Sequence, residues 1–223
     1  MSTATTSIEA VLFDWDGTLM DTKDVLLRTY RDASTELYGE PYPTDPETIE
    51  ALLQLRAQEA FMVVARDDAE RATRVKELFA AAYARHQSAA KAFDGVPEAL
   101  RALVDLGVRV GVATSKARER FEADAGRAGV LDLFAVTVTG EDVSAAKPDP
   151  EPVRKAVEAL GLRPEQCFYV GDGPNDVLAA RGAGTVTVGV EYGFHPVELA
   201  AAVPDVMVAT PGQIVDEVRR RRD

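Results

Sequence analysis

The apolar run Val11-Leu12-Phe13 stops abruptly at Asp14-Trp15-Asp16-Gly17-Thr18, and that change restricts the fold more than any other stretch of the chain. From Ile8 to Phe13 the side chains are mostly aliphatic, β-branched or aromatic, with little alternation. This is the pattern of a strand covered on both faces, as in a parallel sheet. Open parallel sheets bind ligands beyond the carboxyl ends of their strands, so Asp14 and Asp16 stand where chemistry is expected. Asp-x-Asp-Gly is also good turn chemistry, and the stretch alone does not separate a structural turn from a reactive one.

The remainder of the chain supplies the partners such a strand needs. After Leu19 the pattern is helical over residues 20–90, with apolar side chains at three- and four-residue spacing in Lys23–Leu37, Pro46–Val64 and Asp68–Gln87. Gly39 and the prolines 41, 43 and 46 separate the first two segments, and Asp45 is placed to cap the second. From Phe93 onward short apolar runs alternate with amphipathic helices. Strands are expected at 108–113, 134–139, 167–170, 185–190 and 206–208, and helices at 97–106, 117–128, 150–160, 175–181 and from Gln213. Alternation of this kind implies right-handed parallel crossovers and a doubly wound α/β sheet. The expected division is a discontinuous sheet domain, residues 1–19 and 91–223, with a helical domain at 20–90 inserted after the first strand.

A net charge of -12 argues against wrapping a nucleic-acid backbone, which calls for a basic surface. The sole cysteine, Cys167, lies in an apolar run, reads as a small core residue and suits a reducing compartment. The first residues lack the charge and apolar core of a secretory signal, and no run is long enough to span a membrane, so the expected location is the cytoplasm. Arg219 to Arg222 read as a solvated helix end, where cations are favoured. His86 and His195 read as structural or surface residues.

Three further clusters follow strands or precede helices. Thr114-Ser115-Lys116 offers hydroxyls and backbone N–H groups at a helix start, suited to a phosphate oxygen or to simple capping. Lys147-Pro148-Asp149-Pro150 holds a cation in a stiff segment. Gly171-Asp172-Gly173-Pro174-Asn175-Asp176 places two acids across a tight turn after a buried strand. Magnesium prefers a few carboxylates completed by water and phosphate oxygens, and Asp14, the Asp16 backbone and Asp172 would make such a set, with Asp176 behind them.

Taken in order, Asp14-Trp15-Asp16-Gly17-Thr18, Thr114, Lys147 and Gly171-Asp172 through Asp176 resemble the four motifs of haloacid dehalogenase superfamily phosphatases. The resemblance covers nearly the whole chain and is nearest to the phosphoglycolate phosphatase and β-phosphoglucomutase branch. It implies a Rossmann-like core with a helical cap at 20–90, Mg²⁺ as cofactor, and a small phosphorylated metabolite as substrate for a monomer or homodimer. It also implies Asp14 as nucleophile, Asp16 as general acid and base, and Lys147 and Thr114 as charge and oxygen partners. The metal would fall to Asp14, Asp16, Asp172 and Asp176. Gly17, Thr18 and Ser115 would bind phosphate, and Arg56 is the cap residue suited to a second anionic group of the substrate. Trp15 departs from the branch, which usually has a smaller aliphatic residue there, and puts local packing in question. The alternatives are a phosphomutase, a metal-independent haloacid dehalogenase, against which Asp16 argues, and a non-catalytic binding protein.

Overall fold

The computed structural model describes residues 7–55 and 57–222. Arg56 lies outside the described residues. They divide into two compact units, Met1–Asp21 with Ala92–Asp223, and Thr22–Lys91.

The first unit is built on a six-stranded, all-parallel sheet. Its strands are β1 (Ala10–Phe13), β4 (Arg109–Ala113), β5 (Phe134–Val138), β6 (Cys167–Gly171), β7 (Val186–Val190) and β8 (Val206–Val208). Two short strands, β2 (Met20–Asp21) and β3 (Lys91–Ala92), form a separate pair. The sheet order is β5-β4-β1-β6-β7-β8. From β1 the chain winds outward through β4 and β5, then returns to the other side of β1 and winds outward again. β1 and β6 therefore flank the point where the winding direction reverses, and a crevice opens there beyond their carboxyl ends. The register aligns Phe13 with both Val112 and Val170, so Asp14 and the segment after Gly171 emerge side by side.

Both faces of the sheet are covered, which is why β1 and β6 lack polar alternation. On one face Ala10, Leu12, Cys167 and Tyr169 meet Val153, Ala156 and Val157 of α7 (Glu151–Ala159) and Ala179, Ala180 and Ala183 of α8 (Pro174–Ala183). Phe168 points the other way along β6, where the Arg221 guanidinium lies 5.2 Å from its ring centroid, just past α10 (Pro211–Arg220). Helix α5 (Val96–Asp105) packs on α10 and β4. The fully buried Trp15 meets Phe121 of α6 (Arg118–Ala128) edge-on at 4.7 Å and Phe134 at 6.0 Å, so the bulky ring is absorbed by an aromatic cluster. The C-terminal arginines are tethered: Arg219 to Asp216, Arg220 and Arg221 to Glu217, and Arg222 to the Leu106 carbonyl. Cys167 is buried, and burial pushes its thiol up to about 11.

The second unit is all helical: α1 (Lys23–Tyr38), α2 (Pro46–Gln54), α3 (Ala57–Val64) and α4 (Ala69–His86). α1 and α4 pack together, and Tyr30, Phe61, Phe79 and Tyr83 form its aromatic centre. Asp45 caps α2 by accepting from the Thr48 N–H at 2.7 Å. His86 pairs with Asp32 at 2.9 Å, a structural role. The single helix expected at 46–64 is instead two, because the backbone turns extended at Leu55. The reason is geometric. Leu52 and Phe61 are both buried, yet nine residues apart on one continuous helix they would lie about half a turn from each other. The break lets both face inward. A six-residue helix not foreseen, α9 (Pro196–Ala201), precedes β8. Among the described residues no helix is long and apolar enough to cross a membrane.

Phe121 is fully buried between Trp15 and Phe134. Phe121→Ala is expected to lower unfolding stability by about 3–5 kcal/mol, read from the urea midpoint.

Candidate active site

Beyond β1 and β6 the sheet runs out of hydrogen-bonding partners, and the residues there turn polar. The Asp14 N–H still donates to the Val170 carbonyl at 2.9 Å, which continues the β1 to β6 ladder by one step and fixes the position of the first acid. The chain then folds back on itself, with the N–H groups of Thr18, Leu19 and Met20 all donating to the Trp15 carbonyl. Gly17 takes φ +82 in this turn, and a Cβ there would sit 2.2 Å from Asp172 Oδ2. Only glycine permits both the backbone angle and the close approach of the second acid. Gly193 is constrained from the opposite side, where a Cβ would meet Asp172 Cβ at 2.2 Å and the Gly17 carbonyl at 2.7 Å.

Asp14, Asp172 and Asp176 each offer a carboxylate oxygen within 4.8 Å of the others. Lys147 is buried among them, its Nζ 2.7 Å from Asp14 Oδ1 and 2.6 Å from Asp176 Oδ1. The same ammonium donates to the Tyr169 hydroxyl at 3.1 Å, and that hydroxyl donates to the Ala113 carbonyl at 2.8 Å. Asp172 is held by the Phe194 N–H at 2.8 Å and the Thr18 hydroxyl at 3.4 Å, and Asp176 by the Gly173 N–H at 3.0 Å. Asp16 stands apart from this group. Its carboxylate meets the Lys116 ammonium at 2.9 and 3.2 Å, and its side chain is 26% exposed against 14% for Asp14.

Three acids, Asp172 and Asp176 buried and Asp14 half-buried, are gathered around one lysine and are short of positive charge. Burial raises Asp14 from 3.8 to about 6, against the pull of Lys147 and with added repulsion from Asp176. Burial and the neighbouring Asp176 and Asp14 also raise Asp172 well above its ordinary value. Burial alone would lower Lys147, but Asp14 and Asp176 outweigh it and hold the ammonium charged. A hard divalent cation fits this donor set. The oxygens are carboxylates, clustered within reach of one ion, and they carry more negative charge than the protein itself compensates.

The sequence-predicted residues sort into groups. Asp14, Lys147, Asp172 and Asp176 converge directly. Thr114 is buried at the end of β4, where its hydroxyl accepts from the Lys116 N–H at 3.2 Å. Thr18, expected to bind phosphate, is fully buried and donates to Asp172, so it orients a carboxylate. The Gly17 N–H, also expected to face phosphate, is taken by the Met20 carbonyl at 2.9 Å. Ser115 is exposed, and among the described residues no hydrogen bond ties it to the carboxylates. His195 is buried beside Gly173 and is not a surface residue. Tyr169 and Asp124 were missed. A tyrosine in a fully buried strand needs a partner for its hydroxyl, and an acid three residues after Phe121 falls on a buried helix face, so both had a readable signal.

The family profile described as haloacid dehalogenase-like hydrolase matches residues 11–190. A Clostridium perfringens protein provisionally named pyrophosphatase PpaX is 36% identical over 220 residues, covering 96% of this chain and 98% of that protein. The N-acetylmuramic acid 6-phosphate phosphatase of Pseudomonas aeruginosa is 32% identical, covering 96% of each. Among solved structures, a haloacid dehalogenase-like hydrolase from Bacteroides fragilis, also provisionally named, superposes with a TM-score of 0.85 at 27% identity, covering 93% of this chain and all of that one.

The charge deficit has a thermodynamic consequence. Asp14 and Asp172 bind protons more tightly in the folded state than in the unfolded chain, so without metal their contribution to stability is present at low pH. For Asp14 it is lost as pH rises from 3.8 through about 6, and for Asp172 as pH rises above its ordinary value. Adding Mg²⁺ is expected to raise the melting temperature more at about pH 7.5 than at about pH 5, read by scanning fluorimetry. An equal rise at both would contradict the electrostatic account.

Proposed function

Because the chain belongs to the haloacid dehalogenase-like hydrolase family, we propose that it is a phosphatase of small phosphorylated metabolites that works through a transient aspartyl-phosphate on Asp14. The observation that carries this reading is the Asp14 carboxylate, fixed at the end of β1 by Lys147 at 2.7 Å and grouped with Asp172 and Asp176. The names of the Clostridium and Pseudomonas relatives, a pyrophosphatase and a sugar phosphate phosphatase, support the phosphoryl chemistry.

Mg²⁺, held by Asp14, Asp172 and the Asp16 main-chain carbonyl with Asp176 behind them, would supply positive charge against the repulsion between a phosphate dianion and these acids. The remaining chemistry belongs to the chain. An Asp14 carboxylate oxygen bonds to phosphorus as the ester P–O bond breaks, which is covalent catalysis by a carboxylate. Lys147 keeps that carboxylate oriented and adds a fixed cation beside the transferring group. Asp16, the more open acid, gives its proton to the departing alcohol. Water then bonds to phosphorus, the link to Asp14 breaks, and Asp16 takes the water's proton. Inorganic phosphate leaves and Asp14 is regenerated. Thr114, at the neighbouring strand end, would hold a transferring oxygen. Release of inorganic phosphate separates hydrolysis from a mutase, which would return the group to its substrate.

A panel of phosphate esters assayed for phosphate release tests the proposal. Turnover is expected to require Mg²⁺, to stop on chelation, and to be abolished in Asp14→Asn, with acid-quenched enzyme carrying labelled phosphate only when Asp14 is present. Full activity of Asp14→Asn would sink the mechanism. Thr114→Ala is expected to slow turnover by about 10²–10³, as loss of one preorganised donor does, with little change in melting temperature.

A further inference from the structure

We propose that Lys116 is a positioning residue for Asp16, held in place by the buried acid Asp124. The inference rests on the reading of Asp16 as proton donor to the leaving group.

The Lys116 side chain is only 4% exposed, and its ammonium lies 2.9 and 3.2 Å from the two Asp16 oxygens and 3.1 Å from Asp124 Oδ2. Asp124 sits in the middle of α6, fully buried, and is paired in turn with Arg127 one turn on. The backbone of Lys116 is fixed as well. Its N–H donates to Thr114 Oγ1 and its carbonyl accepts from the Gly140 N–H at 3.1 Å. The ammonium is thus anchored from the main chain and from α6 together.

Burying such a pair is poorly explained by stability. Taking two charges out of water is costly, and apolar residues of similar volume often serve as well or better. α6 already docks on the Asp14 turn through Phe121 against Trp15. What the charges add is a cation at a fixed place, touching both oxygens of the more open of the two acids on that turn. Asp16 alone could sample several rotamers at that exposure, and contact through both oxygens selects one. Along Arg127, Asp124, Lys116 and Asp16 the charges alternate, so Lys116 is shared between two acids and orients Asp16 without an exclusive pair.

A residue acting through the proton donor should matter most when the leaving group needs the proton. Phenyl phosphate and p-nitrophenyl phosphate have similar shapes, but the nitrophenolate leaves readily without protonation. For Lys116→Met, kcat/KM is expected to fall by about tenfold or more on phenyl phosphate and by less than about threefold on p-nitrophenyl phosphate. Lys116→Arg should restore most of the difference. Equal losses on both substrates would overturn the proposal, since they would mark a structural or direct binding role. Should Lys116→Met fail to fold, the Lys116→Met/Asp124→Asn pair, which removes both charges, is read in the same way. Asp14→Asn is the control on both substrates. If it keeps turnover, the aspartyl-phosphate reading itself falls, whatever Lys116 does.

Discussion

One ammonium group, that of Lys147, is pressed against two carboxylates at the carboxyl end of the sheet, and much of the first unit serves to keep it there. The lysine arrives from the segment after β5, Asp14 from the end of β1, Tyr169 from β6 and Asp176 from α8. None is near another in sequence except the last two. Their meeting depends on β6 returning beside β1, because only that strand order brings both carboxyl ends to one crevice. The apolar cover on both faces of β1 and β6 stabilises that order. The charges alone could not, since taking three acids out of water around one lysine is costly.

The two acids of the opening turn, Asp14 and Asp16, are two residues apart yet live in different electrostatic surroundings. Asp14 joins a group of acids around Lys147, and burial, with added repulsion from Asp176, raises its carboxyl against the pull of that lysine. Asp16 turns toward a different lysine and is more open. The turn after Trp15 separates them, and Gly17 makes that turn possible while leaving room for Asp172. Separate surroundings for neighbouring acids are the general means by which one site holds a nucleophile and a proton carrier together.

The helical unit follows simpler rules. Its helices are specified by apolar spacing, and aromatic residues at the centre hold α1, α3 and α4 together. Its one surprise, the division at Leu55, comes from the same hydrophobic requirement. No glycine or proline marks the break. It arises because two buried side chains cannot both face inward along an unbroken helix.

From the sequence alone, the alternation of strand and helix, the doubly wound sheet, the inserted helical segment and the convergence of Asp14, Lys147, Asp172 and Asp176 were all legible. Periodicity reports burial, and strand ends in a parallel sheet share one edge. Thr18 and the Gly17 amide, read as phosphate ligands, have partners within the protein, Asp172 and the Met20 carbonyl, and Ser115 is exposed while both its neighbours are buried. A motif names the residues in a turn, but where each donor points depends on which partners other strands bring within 3 Å or so. The same limit hid the roles of Tyr169 and Asp124. Their types and positions were in the sequence, but their partners, a lysine 22 residues away for one and Lys116 for the other, were set only when the sheet order placed those elements together. Asp14-Trp15-Asp16-Gly17-Thr18 thus determined where the carboxylates would gather, because a strand end in a parallel sheet is shared with its neighbours, and tertiary structure decided which of its groups stay open and which hold the others still.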